Sequence, residues 1–140
     1  MDFAELESNL LFFEDWADRY QYIIGLGAKL PPLDDQYRTE TYLVEGCLSQ
    51  VWLHTEIFEE GGEKKLRFAA DSDSAIVKGL FAILRILFSD KTADEIIAVD
   101  LDQAFEQIGL EQHLSPNRRN GFFSMIEEMR RAAVVVKATS

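Results

Sequence analysis

The sequence predicts an α+β fold in which a small antiparallel sheet carries helices packed on it. Three observations lead there. Apolar residues at helical spacing occupy the first thirty positions. Two alternating segments flank Gly61-Gly62, and strongly apolar helical segments follow them. The element order is therefore helices, sheet, helices, without the strand–helix–strand alternation of a parallel sheet.

The elements can be justified in order. Leu6, Leu10, Phe13, Ala17, Tyr20 and Ile24 recur at spacings of three and four, which puts them on one helical face, with a break allowed near Glu14. Gly25 and Gly27 weaken the helix end, and Pro31 and Pro32 stop it. Residues 33–41 form a polar connection, and 42–44 are short and extended enough to add a third strand. Gln50 to Phe58 alternates, with Val51, Leu53, Thr55 and Ile57 on one face and Trp52, His54, Glu56 and Phe58 on the other. Gly61-Gly62 supplies a hairpin turn, and Leu66, Phe68 and Ala70 mark the return strand.

Asp71-Ser72-Asp73-Ser74 offers helix-capping side chains. The next helix runs through Ile76, Leu80, Ile83 and Leu87, and its width of apolar face marks it as the central packing element. Gly79 within it predicts a close approach to the sheet. Thr92 caps a short helix at 93–98, and another is expected over 102–108. Ser115-Pro116 opens the last helix, with Phe122, Ile126, Met129 and Ala133 on one stripe. The run 132–136 is either a frayed end or a packed tail.

At 140 residues and 47% hydrophobic, the chain is expected to form one domain over 1–140. Its formal net charge of −11 opposes nucleic-acid binding, which draws on Lys and Arg, and opposes docking on an anionic membrane. The first segment is acidic throughout, unlike a secretory signal, and the stretch from Gly79 to Phe88 is too short to span a bilayer. A cytoplasmic location is expected. No glycine-rich phosphate loop is found.

Cys47 is the single cysteine, which fits a reducing compartment and rules out an intramolecular disulfide or a Cys-rich zinc or iron–sulfur site. It follows Gly46, a turn signal that lets another molecule approach closely. Read from the residues alone, two roles stand side by side. Cys47 is either a small hydrophobe beside Val44 and Leu48, or a nucleophile at a loop tip. A Cys47–His113–Asn120 hydrolase triad has permissible residue types but no local hydrolase signature. His54 fits a half-buried strand position, and no ligand spacing joins it to Cys47 around a metal. Asp71 and Asp73 read as caps. Arg118 and Arg119 sit in a first helical turn, where the macrodipole disfavours cations; they are either solvated or aimed at an anion or partner.

Four ordered blocks then carry a resemblance: DRYQYIIGLGAKLPPL (18–33), VEGCLSQVWL (44–53), DSDSAIVKGLFAIL (71–84) and HLSPNRRNGF (113–122). Together they resemble the SufE/CsdE family of cysteine-desulfurase partners. The resemblance implies a SufE/IscU-like fold and a role as accessory protein rather than stand-alone enzyme. It implies that Cys47 accepts persulfide sulfur from a SufS-type cysteine desulfurase and passes it to a SufBCD-type scaffold for iron–sulfur cluster assembly. It places Arg118 with the cysteine, and Gly46, Leu48 and Asp73 on the docking surface. It implies no resident cofactor, since pyridoxal phosphate belongs to the desulfurase. Leu48 departs from the family, where Gln is common, and an apolar side chain there is expected to shield the persulfide or alter the partner contact.

Overall fold

The structure is a computed structural model and describes residues 1–46, 49–110 and 114–139. Helix α1 (Phe3–Phe12) is capped by Asp2, whose carboxylate accepts the Glu5 amide at 2.9 Å. The break near Glu14 is real and complete. Phe13 leaves helical space at φ −85°, ψ 127°, and its carbonyl accepts the Arg19 Nε–H at 2.8 Å. A second helix, α2 (Trp16–Ala28), therefore starts afresh, and the single helical stripe is split between two axes.

Two 3-10 turns, Asp35–Tyr37 and Glu40–Tyr42, fill the polar connection. Strands β1 (Val51–Glu60) and β2 (Glu63–Ser72) form the expected hairpin, in register from Val51 opposite Ser72 to Glu60 opposite Glu63. Gly61 and Gly62 have φ of 61° and 81°, the double positive φ that a tight two-residue hairpin turn requires. The third strand is not 42–44. Residues up to Tyr42 coil into a 3-10 turn, which leaves only a bridge between Leu43 and Trp52. Instead β3 (Lys91–Thr92) pairs with β2, giving the order β1-β2-β3.

The buried face of the sheet carries Val51, Leu66, Phe68 and Ala70. Helix α3 (Ala75–Phe88) lies against it with nine buried residues, which makes it the central helix. Gly79 serves a different close approach from the predicted one. A Cβ there would collide with the Ile23 carbonyl of α2, and one on Gly27 would meet the Gly79 nitrogen. Two facing glycines let α2 and α3 cross at backbone contact, and the sheet is not involved.

The Asp71–Ser74 segment also differs from expectation. β2 runs on through Ser72, and Ser74 is the N-cap residue of α3 without a side-chain cap bond. Asp71 and Asp73 are not caps, because tertiary partners claim both. Thr92 does cap α4 (Ala93–Ala98) in a reciprocal box with Glu95. Helix α5 (Leu101–Ile108) follows from Asp100 and ends at Gly109, φ 65°. Ser115 accepts the Arg118 amide at 3.4 Å to open α6 (Pro116–Ala138). The stripe Phe122, Ile126, Met129, Ala133 and Val136 is buried, so the end of α6 is packed.

Candidate functional site

On either side of residues 45–50 the chain is drawn together where the Val44 amide donates to the Val51 carbonyl at 2.8 Å. Each arm is held by a separate contact. On the first arm, Gly46 has φ 88°, a conformation that disfavours a side chain. It also lies against α6, since a Cβ on Gly46 would sit 2.7 Å from Ser124 Oγ. On the second arm, Gln50 is clamped by the end of β2. Its amide donates to Asp73 Oδ1 at 3.1 Å, and its carbonyl accepts the Ser72 hydroxyl at 2.7 Å and the Asp73 amide at 3.3 Å.

Cys47 and Leu48 lie outside the described residues, as does His113. Of the other expected site residues, Gly46 and Asp73 hold opposite arms of this loop. Arg118 is in the first turn of α6, six residues before Ser124. At 1.5 Å per residue that is about 9 Å along the helix axis. Its guanidinium lies over the Tyr20 ring of α2, 5.4 Å from the centroid, which orients a cation at a helix start where the macrodipole alone would repel it. Asn120 is exposed on α6. Two members of the Cys47–His113–Asn120 set therefore lie outside the described residues.

Asp71 anchors the flank of the site. Its carboxylate pairs with Arg38 at 2.6 Å and Lys78 at 3.5 Å, and accepts the Ser72 amide at 2.8 Å. The Asp71 side chain is only 17% exposed. This ties the 3-10 connection and α3 to the strand end that clamps Gln50. On the outer face of β1, His54 is half-buried under Tyr37, with rings stacked at 3.7 Å and 13°, and Tyr42 edge-on. Sequence reasoning missed Ser124, Arg38 and the tyrosine pair. Each acts on a residue distant in the chain, and no spacing rule links them. Among the described residues no group of three or more His, Cys, Asp or Glu side chains is placed to hold a metal. Among them, too, no helix is long and apolar enough to cross a membrane.

An α+β scaffold that sets Gly46 against a long helix and holds Gln50 at a strand end, on either side of Cys47 in sequence, defines the class. Comparison with known proteins gives the family. Residues 4–133 match the model of the SufE, Fe-S metabolism associated domain. An uncharacterised SufE-like protein of Rhizobium etli is 42% identical over 131 residues, 94% of this chain and 88% of that protein. One of Rhizobium meliloti is 41% identical over 129 residues, 92% of each. A hypothetical protein from Thermus thermophilus, solved in solution, superposes with a TM-score of 0.70 at 22% identity, covering 99% of this chain and 96% of that one. The chain belongs to the SufE family of proteins associated with iron–sulfur metabolism.

Proposed function

We propose that the chain is a sulfur acceptor and carrier: Cys47 takes persulfide sulfur from a SufS-type cysteine desulfurase, stimulates that enzyme, and passes the sulfur on to a SufBCD-type scaffold. The observation that carries this reading is position. The only cysteine of a SufE-family chain, Cys47, stands in sequence between Gly46, which packs against α6, and Gln50, whose amide Asp73 holds.

The chemistry balances without an oxidant. The Cys47 thiolate attacks the terminal sulfur of the desulfurase persulfide. A new S–S bond forms on Cys47, the S–S bond on the desulfurase breaks, and its cysteine leaves as a thiolate. One cysteine suffices to hold one sulfur, and no resident cofactor is required. Arg118 is the cation in the family motif that would favour the thiolate and the persulfide anion. Leu48 would add an apolar neighbour that limits water at the persulfide. Gly46 and Asp73 would keep the loop in the form the partner recognises.

The test is intact-protein mass spectrometry after incubation with a SufS-type desulfurase and free cysteine. The wild type should gain the mass of sulfur, reversibly under reductant, while Cys47→Ser gains none and no longer stimulates turnover. A Cys47→Ser protein that still stimulates the desulfurase fully would replace the carrier with a non-covalent adaptor. Activity on small esters or peptides that depends on His113 would replace it with a cysteine hydrolase.

A further inference from the structure

Three cations from three separate elements line one cavity at the C-terminal end of α3. Helices α2 and α3 touch at Gly27 and Gly79. Further along both, the two helices line an open cavity of about 630 Å³. Leu26, Lys29 and Leu30 stand at i, i+3 and i+4 at the end of α2 and just past it. Ala82, Arg85, Ile86 and Ser89 stand at i, i+3, i+4 and i+7 along α3 to its C-cap. Each set therefore shares one helical face. Phe3 at the start of α1 and Lys91 at the start of β3 complete the lining.

The chain has 25 acidic and 14 basic side chains, so a surface cation meets carboxylates in excess. Among the described residues, Lys29, Arg85 and Lys91 nevertheless make no ion pair, hydrogen bond or ring contact. Lys91 lowers the Glu95 carboxyl through space without bonding to it. The two carboxylates at the cavity are engaged elsewhere. Asp2 accepts the Glu5 amide, and Asp90 pairs with Arg67 at 2.8 Å. The macrodipoles at the ends of α2 and α3 account for Lys29 and Arg85, but not for Lys91 on a strand. The buried Ser89 hydroxyl accepts the Phe68 amide at 3.1 Å, and its own proton has no acceptor among the described residues. Around these polar groups the lining is apolar, with Phe3, Leu26, Leu30, Ala82 and Ile86.

We propose that this cavity binds a small organic anion with an apolar body. Lys29, Arg85 and Lys91 hold its acidic head, and the Ser89 hydroxyl donates to a head oxygen. The body lies on Phe3, Leu26 and Ile86. The volume falls within the range of about 300–1,000 Å³ that small-molecule sites take, and such sites combine an apolar lining with a few convergent polar groups. Carboxylate and phosphate heads share the required chemistry, since each accepts charge-assisted hydrogen bonds, two of them from one guanidinium. A bare inorganic anion would use the cations but leave the apolar lining wet, which forgoes the gain from burying it. A metal ion would meet three uncompensated cations. The cavity is remote from the clamp on Gln50. Arg85 stands eleven residues past Ser74, about 16 Å along the axis of α3. The inference therefore stands independently of the sulfur-carrier reading, since it uses neither Cys47 nor residues 45–50.

Amide chemical shifts of the ¹⁵N-labelled full chain test it, titrated below micelle formation with octanoate, octyl phosphate, octanol and inorganic phosphate. At least one octyl anion should give saturable shifts at the amides of Lys29, Arg85, Ser89 and Lys91, and the tighter of the two identifies the head. Octanol and inorganic phosphate should each bind at least about tenfold more weakly, because each lacks half of the recognition. The double variant Lys29→Gln, Lys91→Gln should keep the circular dichroism spectrum and weaken the octyl anion by about tenfold or more. Arg85→Gln should weaken it to a similar degree. Octanol binding as tightly as the octyl anions would reduce the cavity to an apolar patch and overturn the proposal. So would the absence of saturable shifts at these amides with either octyl anion through the millimolar range, or an affinity unchanged in both the double variant and Arg85→Gln.

Discussion

Replacing Gly46 by alanine puts a number on how tightly the cysteine loop is held against α6. Two separate costs arise. The backbone sits at φ 88°, where an L side chain costs roughly 1–2 kcal/mol. The new methyl would also lie 2.7 Å from Ser124 Oγ, and such overpacking costs roughly 1–3 kcal/mol before relaxation. The hydroxyl can rotate away, since the Ser124 Cβ itself stands at 3.7 Å, so the lower half of that range applies. The expected destabilisation is about 2–4 kcal/mol in total. A Ser124→Ala background removes the second cost and leaves the first, so Gly46→Ala should there cost only about 1–2 kcal/mol. Ser124→Ala alone should stay within about 0.5 kcal/mol. Urea denaturation of the four proteins gives the coupling energy directly. Desulfurase stimulation, measured in parallel, should fall with Gly46→Ala and recover in part in the double variant. An equal cost of Gly46→Ala in both backgrounds would show that Ser124 does not brace the loop and would refute the argument.

Two further predictions concern Asp73, just past the end of β2, and Glu95 in the first turn of α4. Asp73→Ala removes the acceptor of the Gln50 amide, so amide exchange at Gln50 should accelerate and stability should fall by about 1–2 kcal/mol, while Asp73→Asn keeps most of both. The Glu95 carboxyl is held below the usual carboxylate range, first by the Thr92 amide and then by the Thr92 hydroxyl bond. A carboxylate with a lowered folded pKa stabilises the fold above its unfolded pKa, and that contribution is lost as pH falls through the folded value. The penalty of Glu95→Ala in urea titrations should therefore be full at neutral pH and vanish in acid. A penalty independent of pH would mean that packing, not charge, is responsible.

Local pattern makes part of the fold legible, and the limits are physical. The hairpin is readable because alternation and Gly61-Gly62 are both local signals, and so is the capping box at Thr92. The break at Phe13 is only hinted at, because Phe12 and Phe13 continue the apolar pattern through it. What ends α1 is a carbonyl captured by Arg19. β3 is two residues long and carries no periodicity at all. Gly79 signals a close approach, yet a glycine says nothing of its partner, and the partner is the backbone of α2 rather than the sheet. Asp71 and Asp73 have the composition of caps and stand just before a helix, so local chemistry points there. Arg38, Lys78 and Gln50 override it with tertiary contacts.

The candidate site divides along the same line. Gly46 announces a turn, and the block around Cys47 announces a family; both are carried by adjacent residues. The braces on the loop are carried by distant ones. Ser124 has no motif value on its own, and Asp73 suggests a cap or a docking contact although its carboxylate faces the chain. This separation bears on how the site would work. Sulfur transfer asks little of the scaffold beyond one thiolate, since bond making and breaking happen between sulfurs. What the scaffold must supply is a loop that presents the thiol to one partner and withholds it from others. The residues that do so need only reach the loop from elsewhere in the fold. Their identities are therefore freer than that of the cysteine, and a substitution at Ser124 or Asp73 should change partner response before it changes the chemistry.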